Sequence, residues 1–267
     1  MRHLGKKNVI GVLIDVIDYD AAVDFVLRAA RARQGAAISA LAVHGVMTGV
    51  LDREHKFRLN HFDLLVPDGQ PVRWVLNLLH GARLADRVYG PNLTLRVCER
   101  AAAEGQPVYF YGATSEILDA LVRSLKARFP AIRIAGAEPS KFRRLTAGEK
   151  ADLADRIVAS GAAIAFVGLG CPRQEAFAYE FRDSLPMPIL AVGAAFPFLA
   201  GRLSQAPPWM QDRGLEWLFR LCAEPKRLWR RYLYLNPAYV FLVLLQMLRL
   251  SRFPTSGIAP AAETLYG

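Results

Sequence analysis

Apolar residues follow two alternating patterns along this chain. Short runs of Val, Ile, Leu and Ala fill nearly every position, and longer stretches repeat apolar residues every three or four places. The first pattern suits strands buried on both faces, the second amphipathic helices. Residues 8–15 read as a strand, and 20–33 as a helix entered through an acidic cap. Residues 36–43 give a second strand, followed by a helix to about residue 61. A brief buried strand over 63–67 ends at Asp68 and Gly69. Helices are predicted over 70–80 and 91–105, then a strand over 107–112. A helix over 115–128 is stopped by Phe129 and Pro130 before a strand over 131–135. A helix over 146–160 and strands over 162–168 and 187–192 complete the series.

Strands separated by helices of this length imply right-handed crossovers and a mainly parallel sheet covered on both faces. The expected class is therefore α/β with a doubly wound sheet. Ligands collect beyond the carboxyl ends of such strands. The loops to inspect follow residues 43, 67, 112, 168 and 192. The chain divides into a core over 1–200, a helical appendage over 201–253 and a tail over 254–267 whose linker-like composition predicts mobility.

The appendage changes this picture most. Between residues 201 and 252, Trp209, Trp217 and Trp229 stand among nine Lys or Arg residues and only three acids. Six of the formal +10 charges therefore lie in this one segment. The apolar stretch 239–248 that follows is about half of the roughly 20 residues needed to cross a bilayer. Any membrane contact is then peripheral, on an anionic surface, with the body on the cytoplasmic side. The same stretch could instead pack into the body or against a second copy of the chain. Cys98, Cys171 and Cys222 are few and far apart, which fits a reducing cytoplasm. The basic N-terminus lacks the unbroken apolar core of an export signal. Charge alone would admit a nucleic-acid partner, but no such module is present and the basic residues adjoin an apolar helix.

Gly168, Gly170 and Pro172, followed by Gln174 and Glu175, make a glycine-rich turn from strand to helix. Such turns can set backbone N–H groups against phosphate, although many are simply tight turns. Arg173 stands where the dinucleotide fingerprint requires glycine, so NAD is disfavoured. Gln174 and Glu175, in the first helical turn, could bond a nucleobase edge or sugar hydroxyls. Asp68 with Gly69 is a common turn pair, yet it ends a strand on the ligand side, where a carboxylate could take a proton from a hydroxyl. Asp18, Tyr19 and Asp20 match a metal-holding D-x-D pattern but read better as a helix cap. His44 reads as structural, and the other four histidines lack metal-ligand spacing, so no metal and no cofactor is expected. Arg220, Arg227 and Arg230, with Arg231 beside it, recur at helical spacing as a basic stripe suited to pyrophosphate or lipid phosphate.

Several of these pieces occur together in one order. They are Leu65 to Gly69, the run ending at Gly112, Phe129 with Pro130, Gly168 through Gln174 and Glu175, Gly193 with Ala194, Ala206 with Pro207, and Gly214 to Trp217 leading to Arg231 and Tyr232. In this combination the chain resembles the WecG/TagA/CpsF glycosyltransferases over about residues 8–240. The resemblance implies a Rossmann-like core with a C-terminal membrane-docking appendage. It also implies inverting, metal-independent transfer of a hexose from a UDP-sugar to a polyprenyl-diphosphate-linked sugar, in surface or exopolysaccharide assembly. By position it makes Asp68 the catalytic base. It lines the substrate site with Gly69, Gly112, Gly168, Gly170, Pro172, Gln174 and Glu175, and sets Arg220, Arg227 and Arg230 on the diphosphate.

Four positions depart from the family's usual pattern. Ala40 and Ala42 replace a Thr-x-Asn pair, Gln205 replaces an Arg before Ala206 and Pro207, and Asn92 replaces an Asp. The first change removes two polar groups expected at the donor, which leaves the hexose open. The alternative reading is a non-catalytic, membrane-associated subunit that binds a nucleotide or a partner protein.

Overall fold

In the computed structural model, which describes residues 2–267, the first apolar run forms two strands rather than one. β1 (His3–Val9) and β2 (Val12–Ile17) pair antiparallel, with Val9 opposite Val12. Ile10 and Gly11 turn the chain with φ of 44° and 94°, the positive values that match the twist of a two-residue hairpin. A β-branched residue in that region is unusual, which is why the turn is hidden in the sequence. Buried Asp15 accepts the Leu65 N–H at 2.8 Å, so the hairpin covers the outermost strand of the main sheet.

The main sheet contains β3 (Ala36–Leu41), β4 (Leu64–Pro67), β5 (Val108–Gly112), β6 (Ile134–Glu138), β7 (Ile164–Gly168) and β8 (Pro188–Ala191). Its order is β4-β3-β8-β7-β5-β6, and every pair is parallel. Neighbouring residues feed opposite cores. Ala37, Leu65, Tyr109 and Ile189 pack on one side, and Ile38, Leu64, Phe110 and Leu190 on the other. Burial on both faces explains the unbroken apolar runs. β6 begins three residues later than the expected 131, because Phe129 to Ile132 close a turn through an Ile132 N–H to Phe129 carbonyl bond of 2.9 Å.

The strands are joined by α1 (Tyr19–Arg31), α2 (Val43–Leu51), α3 (Arg53–Asn60), α4 (Gln70–His80), α5 (Gly90–Ala103), α6 (Ser115–Arg128), α7 (Ala147–Ala159) and α8 (Arg173–Phe181), and α9 (Ala195–Leu199) follows β8. Asp18 accepts the Ala21 N–H at 2.9 Å and caps α1, as the D-x-D reading anticipated. The single helix expected up to residue 61 is two. Asp52 accepts from the N–H groups of Glu54 and His55, which caps α3 and ends α2.

Beyond the core lie α10 (Pro208–Asp212), α11 (Glu216–Ala223) and α12 (Pro225–Met247). Among the described residues no helix is long and apolar enough to cross a membrane. α12 packs on α2 and is fastened near its end: Gln246 Oε1 accepts from Ile10 N–H at 2.8 Å, and its Nε2 donates to the Asn8 carbonyl at 3.0 Å. Residues 254–267, expected to be mobile, instead find hydrogen-bond partners on the body. Asn60 Nδ2 donates to the Thr255 carbonyl at 2.7 Å, Leu145 N–H to the Leu265 carbonyl at 2.7 Å, and Ser140 Oγ to the Gly267 carbonyl at 2.6 Å.

Candidate active site

A cavity of about 1500 Å³ lies over the carboxyl ends of β3, β4, β5, β7 and β8, with α11 and α12 as its roof. Asp68, just past β4, sits on its floor and is partly accessible. Withdrawal from water raises the Asp68 carboxyl to about 6, against the opposing pull of the Arg87 guanidinium. Its Oδ1 accepts the Gly90 N–H at 2.9 Å. A carboxylate poised near neutrality is suited to accepting a proton and passing it on.

Arg87 ties the floor to the roof. Its guanidinium lies 2.7 Å from the Glu216 carboxylate of α11, donates to Gln211 Oε1 at 3.0 Å and sits 4.2 Å from the centre of the Tyr89 ring. Both charges of the Arg87–Glu216 pair are largely buried, 8% and 14% exposed, so each depends on the other.

Arg220 of α11 and Arg227 and Arg231 of α12 line the roof. Arg227 pairs with Glu224 at 2.7 Å. Arg220 Nε is buried without a hydrogen-bond partner among the described residues, and the guanidinium lies 5.8 Å from the Phe198 ring centre. Burial lowers the Arg231 pKa, and the charges of Arg220 and Arg227 act in the same direction. Half-buried Arg220 and Arg231, with exposed Arg227 beside them, make a binding surface for a polyanion. His44, in the first turn of α2, is held neutral: burial, then Arg231, lowers it to about 4.

Of the residues singled out in the sequence, Asp68, Gly69, Gly168, Gly170, Gln174, Glu175, Arg220 and Arg227 line this cavity. Gly112, Pro172 and Arg230 do not. Gly112, at φ 112°, lies opposite Gly168 in the sheet, and a Cβ there would come within 2.8 Å of the Gly168 backbone. Its smallness serves packing between β5 and β7. Pro172 takes the N-cap position of α8. Arg230 is turned by about 100° around the helix from Arg231 and lies exposed, 5.2 Å from the Trp229 ring centre. Arg231 takes the place that the sequence reading gave to Arg230, because it stands four residues after Arg227 and shares its face.

Gln174 and Glu175 reach the cavity wall but turn their polar groups inward. Gln174 Oε1 accepts the Gly170 N–H at 3.1 Å, and its Nε2 donates to Glu175 Oε1 at 2.9 Å. Glu175 Oε1 also accepts from Ser39 Oγ at 3.0 Å. These contacts brace the loop after β7 and use Glu175 Oε1, while Oε2 finds no hydrogen-bond partner among the described residues. Ala40 and Ala42 lie on the cavity floor. Sequence spacing missed Arg87, a lone charge in an unremarkable segment, and gave no role to Glu216 although the stretch Gly214 to Trp217 was singled out. It also missed a grouping of His55, Cys171 and Glu175, whose ligand atoms lie within 4.8 Å of one another.

A profile of the glycosyl transferase WecG/TagA/CpsF family matches residues 7–253. A Bacillus spizizenii protein named N-acetylglucosaminyldiphosphoundecaprenol N-acetyl-beta-D-mannosaminyltransferase is 33% identical over 187 residues, 70% of this chain and of that one. A Bacillus subtilis protein of the same name is 28% identical over 211 residues, 79% of each.

Proposed function

The chain belongs to the glycosyl transferase WecG/TagA/CpsF family, and on that premise we propose that it moves a hexose from a UDP-sugar, with inversion, onto a sugar carried by polyprenyl diphosphate. The observation that carries this reading is the meeting of Asp68 with Arg87, Arg220, Arg227 and Arg231 in one cavity. The acceptor hydroxyl gives its proton to Asp68 as its oxygen attacks the anomeric carbon of the donor. The bond from that carbon to the diphosphate breaks, and the leaving UDP takes on negative charge. The roof arginines lie where they can stabilise that charge at no reorganisation cost. The volume of about 1500 Å³ exceeds the roughly 300–1,000 Å³ of an ordinary single-ligand site and leaves room for two substrates. The relatives' names support a sugar on undecaprenyl diphosphate as the acceptor.

Such an acceptor resides in a bilayer, and α12 offers a face for one. Trp229, Leu233, Val240, Phe241 and Leu244 of α12 are exposed apolar residues that also line the cavity, and exposed Leu248 follows at the end of the helix. Arg230, outside the cavity, fits lipid phosphate beside these residues. The enzyme then works as a peripheral protein on the inner face of the membrane.

The test is UDP release from a panel of UDP-sugars, with and without a short-chain polyprenyl-diphosphate sugar. Release that depends on the acceptor is expected. UDP binding with no acceptor-dependent release from any UDP-sugar would put the non-catalytic subunit in its place.

A further inference from the structure

We propose that His55, Cys171 and Glu175 form a binding site for a divalent transition-metal ion of the zinc class, set beneath the loop that follows β7. The three residues come from separate elements: His55 from α3, Cys171 from the loop, and Glu175 from the first turn of α8. Their ligand atoms lie within 4.8 Å of one another. His55 is 3% exposed and Glu175 1%. Among the described residues, His55 Nε2 and Glu175 Oε2 are buried with no hydrogen-bond partner. Two orphaned atoms in one small cluster are costly unless a shared partner satisfies both. The Cys171 thiol makes soft side-chain contacts with Thr48 Oγ1, at 4.0 Å, and with the Glu175 carboxyl, which leaves His55 Nε2 as the atom most in need of a partner.

Donor chemistry identifies the partner. Thiolate, imidazole and carboxylate together are the borderline set that binds zinc and its neighbours, while magnesium and calcium prefer oxygen alone. Thiolate and carboxylate also neutralise a dication, so a filled cluster carries no net charge in its buried setting. Ligand atoms around a tetrahedral zinc stand roughly 3.4–3.6 Å apart, given bond lengths of about 2.0–2.3 Å. Cys171 and Glu175 also line the large cavity. Bound to the three residues, the ion fixes the loop carrying Gly168 and Gly170 against α3.

The full-length protein, loaded with zinc and dialysed, is expected to retain about one equivalent per chain. Cobalt(II) in its place should give a thiolate-to-cobalt charge-transfer band and the strong d–d bands of a four-coordinate site. Cys171→Ser should abolish the charge-transfer band, and His55→Gln and Glu175→Gln should each weaken zinc binding by about tenfold or more. Cys222→Ser, which removes an exposed thiol elsewhere, should change neither. No charge-transfer band in the wild-type protein would overturn the proposal, whatever the variants' stability. So would a band that survives Cys171→Ser but disappears with Cys222→Ser.

Discussion

At Asp68 loss of water and the pull of nearby arginines oppose each other, and loss of water prevails. A base with a pKa of about 6 is protonated below that value, so the transfer rate should rise through pH 6 and level off above it. About one unit below, it should have fallen roughly tenfold, as a pH–rate profile will show. Asp68→Asn should cut turnover by about 10²–10⁴-fold while isothermal titration shows UDP binding unchanged. The same shift bears on stability. A carboxyl raised in the folded state costs stability as pH climbs from the ordinary carboxylate range past 6. The Asn variant should therefore melt higher than wild type near pH 7, by a margin of order 1 kcal/mol, and converge with it near pH 4. Asp68 was legible in the sequence because it ends a strand, and strand ends are where such sheets bind ligands. Arg87 and His55 were not, because their importance arises from partners 129 and 120 residues away, Glu216 and Glu175.

Elements were legible where periodicity and capping agreed. The helix expected from residue 146 begins there, and the structure supplies the cause, a capping box between Thr146 and Glu149. Thr146→Ala should cost about 1 kcal/mol by chemical denaturation, with no effect on activity. Periodicity failed where a short-range detail overrode it, at the Ile10–Gly11 turn and at Asp52. It was too coarse for the arginines, since spacing near 3.5 residues does not say which of two adjacent residues faces inward. The structure separates them: Arg231→Ala should lower kcat by about 10–10²-fold, and Arg230→Ala by less than about twofold in solution. Steady-state kinetics with a water-soluble acceptor will distinguish the two.

For the whole molecule, the sequence disclosed the class of sheet because strands buried on both faces cannot hide their apolar runs. It did not disclose the strand order, the hairpin shielding β4, or the roof that α11 and α12 build over the cavity. Those depend on contacts between distant segments. The exposed apolar residues of α12 belong to this scale. Phe241→Ser combined with Leu244→Ser should abolish cosedimentation with anionic vesicles and leave the fold, read by circular dichroism, unchanged. One residue in that helix has a further consequence. Pro237 has no N–H to give the Leu233 carbonyl, and it falls between the arginine-bearing half and the end fastened by Gln246. The helix is thus a door leaf with its hinge pin midway. Amides before the proline should exchange with deuterium sooner than those after it, and filling that gap with alanine should make a stiffer door that traps nucleotide longer on each cycle.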